Sequence, residues 1–188
     1  GVYFPYMLVD VNAHANLIGE GEHQTKKYYR GSNQDAYYDA DLFHVEREFD
    51  LAINGLSVES SSDRLNNTSS DKTNNVINAI MPFDVENCVK YNSNFLKGYT
   101  SERRDVNVEQ LKNLVDIQSK DIARFAANDT LEDYDRGVNW STEQFSIKGQ
   151  QWKSAYLPVW LYSYQQVKGD KKVLHYVAVN ARTKKVMG

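Results

Sequence analysis

The chain has 188 residues, room for one domain or two small, tightly associated ones with a real core. Charged residues make up 25% and the hydrophobic set 41%, which argues against wholesale disorder and against a transmembrane bundle. The 22 Lys plus Arg nearly cancel 25 Asp plus Glu, for a net charge of -3 without the basic excess of a dedicated nucleic-acid-binding domain, and the single Cys can neither close an internal disulfide nor build a thiolate zinc site.

From Tyr3 the chain alternates. Tyr3, Pro5, Met7, Val9, Val11, Ala13, Ala15 and Leu17 share one parity, while Asp10, Asn12, His14 and Asn16 share the other. Period two over that length predicts a long strand with one wet face. Pro5 has no backbone N–H, so it belongs at a strand start or an edge. Gly19 to Gly21 reads as a turn into a second strand over His23 to Arg30, and Gly31 to Asp35 as a further turn. The third strand sets Phe43, Val45, Phe49, Leu51 and Ile53 on a face that needs a cover, interrupted by Arg47. Its other face carries His44, Glu46, Glu48 and Asp50 toward water, until Asn54-Gly55 breaks the run.

Ser60 to Asn75 is polar and reads as a loop leading to a short helix through Val76, Ile77 and Ile80, which Pro82 ends. Asp84 to Tyr99 reads as an irregular, partly buried connection. The strong helix follows. Asn107 and Gln110 have the spacing of a capping box, and Leu111, Leu114, Val115, Gln118, Ile122, Phe125 and Ala126 recur at steps of three and four. That stripe predicts a helix of about five turns whose buried face covers the sheet. Strands return over Val138 to Ile147 and Trp152 to Tyr164, the latter apolar on both faces and so expected to be central. Lys168-Gly169-Asp170 turns into Val173 to Asn180, and Ala181 to Thr183 turns into Lys185, Val186 and Met187.

These elements predict one α+β domain over 1–188, in which two antiparallel β meanders, N- and C-terminal, bracket one long amphipathic helix and a shorter helix. Tyr3 to Leu8 and Tyr156 to Leu161 share the pattern Tyr, apolar, Pro, apolar, large, Leu. The echo raises the alternative of two pseudo-repeated β units (1–58 and 134–188) around a helical middle (59–133).

No Gly-x-x-x-x-Gly-Lys-Ser/Thr, Gly-x-Gly-x-x-Gly or Gly-x-Ser-x-Gly occurs, so phosphate-cradling turns and a nucleophile elbow are missing. Cys88 has no His near it in sequence and reads as a small buried hydrophobe rather than a catalytic thiol. His14, His23, His44 and His175 lack metal-ligand spacing. His14 and His44, with Asp10 and Glu46 beside them on wet strand faces, could build a His–carboxylate site if their strands were neighbours; a solvated sheet face explains them, and Glu48, more plainly. The best positive patch is Lys26-Lys27-Tyr28-Tyr29-Arg30, where basic residues interleave with rings as in single-strand nucleic-acid sites. Lysines guarding an exposed strand edge are the competing reading, which the net charge favours. Arg182, Lys184 and Lys185 form a second cluster, and the Asn-x-Ser/Thr triplets at Asn66, Asn67, Asn128 and Asn139 carry meaning only in a secreted chain.

Several segments carry a family resemblance. Pro82-Phe83-Asp84-Val85, followed by Tyr91-Asn92-Ser93-Asn94-Phe95-Leu96-Lys97-Gly98-Tyr99 and Glu102, resembles the "PFD…PFNPAYLSGY…E" signature of a bacterial family with a zinc ribbon like that of transcription factor IIB. Some members are described as replication-restart (primosomal) helicase-like proteins. Tyr156 to Leu161 and Tyr176 to Gly188 are similar to that family's "LLPVWLL…YTFAVNGQTGKVVG", and Val2 to Leu8 to its "VYVPFWLF". Lys184 departs from the pattern, standing where the family has Gly.

The resemblance implies a Cys-rich ribbon before this region and membrane-spanning segments after it. It transfers no catalytic residue, and the helicase description finds no motor motif here. The chain opens Gly1, Val2, Tyr3 without a signal peptide, no stretch approaches the roughly 18 apolar residues of a membrane span, and both ends run into strand-like sequence, as expected of a segment cut from a longer chain. The expectation is therefore a non-catalytic interaction or sensing domain with a protein partner, on the cytoplasmic side of a zinc-ribbon membrane protein. It needs no cofactor of its own: zinc would sit only in the ribbon, and membrane contact only in segments outside this chain. The alternatives are a nucleic-acid-binding accessory module using Lys26, Lys27, Tyr28, Tyr29 and Arg30, and a hydrolase built on His14, His44 and nearby acids.

Overall fold

The structure, a computed structural model, describes residues 1–30, 35–62, 79–168 and 171–187. The chain is mostly β, 59% strand against 17% helical, which corrects the predicted α+β arrangement of two helices between separate meanders. The strands are β1 (Val2–Arg30), β2 (Asp35–Glu59), β3 (Thr100–Ser101), β4 (Val138–Lys168), β5 (Lys171–Asn180) and β6 (Val186–Met187). They form one antiparallel sheet in the order β2-β1-β4-β5-β6, with β3 parallel to the start of β1, Val2 opposite Thr100. The first and last strands are therefore not two meanders, because β1 and β4 are direct neighbours. The sole α-helix among the described residues that can be followed from end to end is α1 (Val108–Asn128). Of the shorter helix predicted through Val76, Ile77 and Ile80, only the end is described, helical at Ala79 and a turn at Ile80; Val76 and Ile77 lie outside the described residues, as do Asn66 and Asn67.

The chain divides into two compact units, one of Gly1–Val9, Gly55–Lys112 and Trp152–Gly188, the other of Asp10–Asn54 and Asn113–Gln151. In the first unit Phe4, Tyr6, Ile80, Phe83, Leu157, Val159 and Ala178 form a buried cluster. The second and fourth residues of each echoed hexapeptide, Phe4 and Tyr6, Leu157 and Val159, thus meet in one core. That shared apolar burial explains why the chain ends share a sheet. Pro5 is tolerated because β2 ends beside it: the Ser60 amide donates to the Pro5 carbonyl at 3.0 Å, and β3 takes over at Val2 and Tyr3.

A buried asparagine closes the first unit. Asn180 is wholly buried; its Nδ2 donates to the Ile80 carbonyl at 3.0 Å and the Pro82 carbonyl at 3.2 Å, while its Oδ1 accepts from the Arg182 and Thr183 amides. Outside this knot Arg182 pairs with Asp84 at 3.0 Å and Lys185 Nζ donates to the Met81 carbonyl at 2.9 Å. Lys184 adopts φ 64° between them, the left-handed conformation that glycine takes most readily. A lysine holds this conformation at a local strain cost.

In the second unit the predicted alternation holds. Val11, Ala13, Ala15 and Leu17 are buried, and Asn12, His14 and Asn16 stand on the wetter face. The glycines, however, do not turn the chain: β1 runs straight through Gly19 and Gly21 to Arg30. A Cβ on Gly19 would clash with the Asn139 carbonyl, and one on Gly21 would meet the Tyr134 ring at 2.5 Å, so both residues make room for close neighbours. In the same way β2 continues past Asn54-Gly55 to Glu59, with Gly55 at φ 68° in the left-handed region that glycine takes most readily.

Helix α1 starts as predicted. The Asn107 side chain caps the Gln110 amide at 3.0 Å and Gln110 returns the bond at 2.9 Å. Its buried stripe differs, running Leu111, Val115, Ser119, Ala123 and Ala127, while Phe125 is 71% exposed. Small residues at a four-residue step let a helix sit close on a surface, and Leu17, Ala123 and Phe145 indeed line one small crevice. Arg47, the charge that interrupts the apolar face of β2, reaches Thr130 just past the helix end, donating to its hydroxyl at 2.7 Å and its carbonyl at 3.0 Å. A cation there suits the helix dipole.

Arg124 on α1 grips both carboxylate oxygens of Glu143 on β4 and also pairs with Asp121. The Arg124 guanidinium holds the Glu143 carboxyl below the ordinary glutamate range. A group whose folded value is depressed stabilises the fold above its unfolded value, and that contribution disappears as pH falls through the folded one. Both partners are partly solvated, so the pair contributes about 1 kcal/mol. Urea midpoints measured from neutral pH down past about pH 4 are expected to fall less steeply for Glu143→Gln than for the native chain. Parallel acid limbs would show the pair to be energetically idle.

Candidate functional site

The β4–β5 hairpin carries the most unusual surface. Cross-strand partners share a face, and the register sets Trp160 opposite Val179, Tyr162 opposite Val177, Tyr164 opposite His175 and Gln166 opposite Val173, with Val186 of β6 next to Val179. None of these nine positions carries a formal charge at neutral pH apart from any fraction of protonated His175. Trp160 is 52% and Tyr162 66% exposed, and Tyr164, Val173 and Val186 are exposed as well. The opposite face is also open toward the tip at Leu161, Val167 and Leu174. β4 is central in the sheet, as its apolar run predicts, with a strand on each side, but lateral pairing does not cover a face.

The rings are ordered against one another. Tyr3, Tyr99 and Trp160 form an edge-to-face chain with centroids 5.8 and 6.0 Å apart, and Tyr164 stacks on His175 at 4.9 Å. The His175 Nε2 is fixed by Gln166 at 3.1 Å. Beyond this face β6 pairs with β5 only at Ala178 and Val179, so the outer edge of β5 before Ala178 has no strand partner among the described residues. Open backbone groups next to ordered, uncharged side chains make a surface suited to pairing.

The predicted sites fare differently. Lys26, Lys27, Tyr28 and Tyr29 are exposed near the end of β1, which Arg30 closes. Lys27 Nζ lies 5.3 Å over the Tyr29 ring and 5.6 Å over that of Tyr38, and Tyr28 stacks on Tyr37 at 5.9 Å. Tyr29, and after it Tyr38, raise the Lys27 ammonium above the usual lysine range. Lys27 and the rings of both strands thus contact one another on an exposed surface. Arg182 and Lys185 flank the Asn180 knot, held by Asp84 and the Met81 carbonyl.

β1 and β2 are neighbours, as a His–carboxylate site requires, but the groups that meet are not the expected ones. His14 Nδ1 lies 2.8 Å from Asp50 and its Nε2 3.1 Å from Glu48, with Lys148 at 2.7 Å on the same Asp50 oxygen. Lys148, and after it His14, hold the Asp50 carboxyl below the usual range. Each imidazole nitrogen of His14 thus has a carboxylate oxygen within hydrogen-bond distance. His44 takes no part, Glu46 binds Asn16 at 3.3 Å, and His23 sits 3.4 Å from Asp135. Among the described residues no group of three or more His, Cys, Asp or Glu could hold a metal ion, and no helix is long and apolar enough to cross a membrane. Cys88 is exposed, not buried as predicted.

Comparison with protein-family models, with curated proteins and with solved structures finds no match for this chain. The signal that could have found the β4–β5 surface was present in Trp160, Tyr162 and Tyr164 at alternate positions. Its meaning depended on which face the core covers, and that is set by residues far away in sequence.

Proposed function

We propose that this chain is a non-catalytic interaction domain that receives an uncharged, extended segment of a protein partner along the outer edge of β5. The observation that carries this reading is the ordered, charge-poor face of Trp160, Tyr162, Tyr164 and Val173 beside a strand edge without a partner among the described residues. Strand addition supplies main-chain hydrogen bonds, and alternate side chains of the incoming segment would lie on the rings. The lack of formal charge favours a partner strand rich in β-branched and aromatic residues. The location on the cytoplasmic side of a zinc-ribbon membrane protein, with membrane contact outside this chain, rests on the sequence resemblance.

Selection from a library of displayed extended peptides tests the reading. Binders are expected to be uncharged, to slow amide exchange in β5 between Lys172 and Val177, and to lose about tenfold or more in affinity to Tyr162→Lys. Lys27→Ala is expected to leave affinity unchanged. Binders insensitive to Tyr162→Lys would refute the site. Sedimentation showing a dimer that Tyr162→Lys dissolves would make the occupant a second copy of the chain and overturn the partner assigned here.

A further inference from the structure

A cleft of about 610 Å³, which shares Tyr3 with the ring chain of the hairpin surface, lies in the first unit, within the roughly 300–1,000 Å³ range of small-molecule sites. We propose that it binds a small organic anion with an aromatic body. Its floor is apolar: Phe83 and Leu157 belong to the buried cluster. The rings of Tyr91 and Tyr156 stand 5.9 Å apart on its side, and exposed Phe95 adds a third ring to its lining. Most of the polar groups around them are already engaged. Asp84 accepts from Asn87 at 2.8 Å and from Arg182 at 3.0 Å, and Asn92 caps the Asn94 amide at 2.9 Å.

Arg104 differs. It lines the cleft and makes no side-chain hydrogen bond or ion pair with any described residue. The Asp84 and Arg182 charges cancel, so the lining carries one uncompensated positive charge beside exposed rings. A guanidinium offers planar, paired donors that match a carboxylate or sulfonate, and an aromatic body gains from stacking on the tyrosines. A cationic ligand would be repelled, and a neutral one would leave the guanidinium to water alone. The cleft size selects a small molecule over a folded partner.

Cys88 lines the same cleft, is exposed, and is the chain's single thiol, so its alkylation by N-ethylmaleimide reports occupancy directly. Indole-3-acetate and its neutral isostere indole-3-acetamide serve as probes. The acid is expected to protect Cys88 at about five- to tenfold lower concentration than the amide. Raising salt should shrink that preference by weakening the acid alone. Arg104→Gln should bring the acid down to the level of the amide, and Arg104→Lys should keep part of the difference. Absence of protection by the acid up to its solubility limit, equal protection by both probes, or a preference that survives Arg104→Gln would each overturn the assignment. The salt comparison uses the native chain, so the outcome does not depend on how a variant folds.

Discussion

Replacing Asn180 by alanine is expected to lower the unfolding free energy by roughly 3–5 kcal/mol, as the loss of several buried hydrogen bonds would. The side chain is fully buried and uses its whole capacity, donating to Ile80 and Pro82 and accepting from Arg182 and Thr183. Alanine would leave the Ile80 carbonyl without this donor inside the core, and two turn amides without their acceptor. Each buried group left unpaired costs about 1–3 kcal/mol, and water reaching the part-buried side of the knot keeps the sum below the simple total. Asn180→Asp separates geometry from chemistry. It keeps the shape but turns a carboxylate oxygen toward two carbonyls, so at neutral pH it should destabilise at least as much. Lowering pH should recover part of that loss, because a protonated carboxyl can donate to one carbonyl. Urea unfolding of both variants reads this directly. A loss below about 1 kcal/mol for the alanine variant would mean that solvent already satisfies the knot.

Asn180 also shows where sequence reading stops. Its place just before a turn is visible in the chain. Its partners Ile80 and Pro82 are about a hundred residues earlier, and nothing local marks them. The alternation of Val11, Ala13, Ala15 and Leu17 was legible because burial of one strand face is a local, period-two property. The Asn107–Gln110 capping box was legible for the same reason. The helix face is legible at Leu111 and Val115 and shifts by one residue after them, since large residues weigh most in a sequence pattern whereas α1 buries Ser119, Ala123 and Ala127 and leaves Phe125 outside. Size signals burial only where there is space, and a helix held close to a sheet favours small side chains. The sheet order was beyond the sequence altogether. It depends on β1 and β4 finding each other across more than a hundred residues, so two local meanders were predicted in place of one sheet.

The candidate sites divide along the same line. Lys26 to Arg30 could be singled out because charge and rings adjoin in sequence, yet Tyr37 and Tyr38 on β2, which share in the stacking and cation–π contacts, come from beyond the turn. Trp160, Tyr162 and Tyr164 lie in a run that reads as apolar on both faces, and hydrophobicity says that a residue needs cover and not whether the fold supplies it.

Glycine supplies the sharpest case of a misread signal and the second large effect. Gly19→Ala is expected to cost about 2–4 kcal/mol, as overpacking against rigid main chain does. Its Cβ would lie 2.9 Å from Trp140 Cα and closer still to the Asn139 carbonyl, and backbone cannot swing aside as a side chain can. The Ser141 hydroxyl donates to the Ile18 carbonyl at 3.1 Å, another mark of how closely β4 approaches β1 here. Gly21→Ala should cost less than Gly19→Ala, because the Tyr134 ring in its way can rotate, giving up contact with Phe43 rather than displacing a strand. Gly149→Ala is the control: nothing lies within 4 Å of its Cβ, and an alanine in a strand should be neutral or stabilising by up to about 1 kcal/mol. The ranking Gly19, Gly21, Gly149 in urea unfolding distinguishes a steric requirement from backbone entropy, which would shift all three equally. If Gly19→Ala behaved like Gly149→Ala, the close approach of β4 would not be what places glycine in the middle of β1, and the turn reading would have to be reopened.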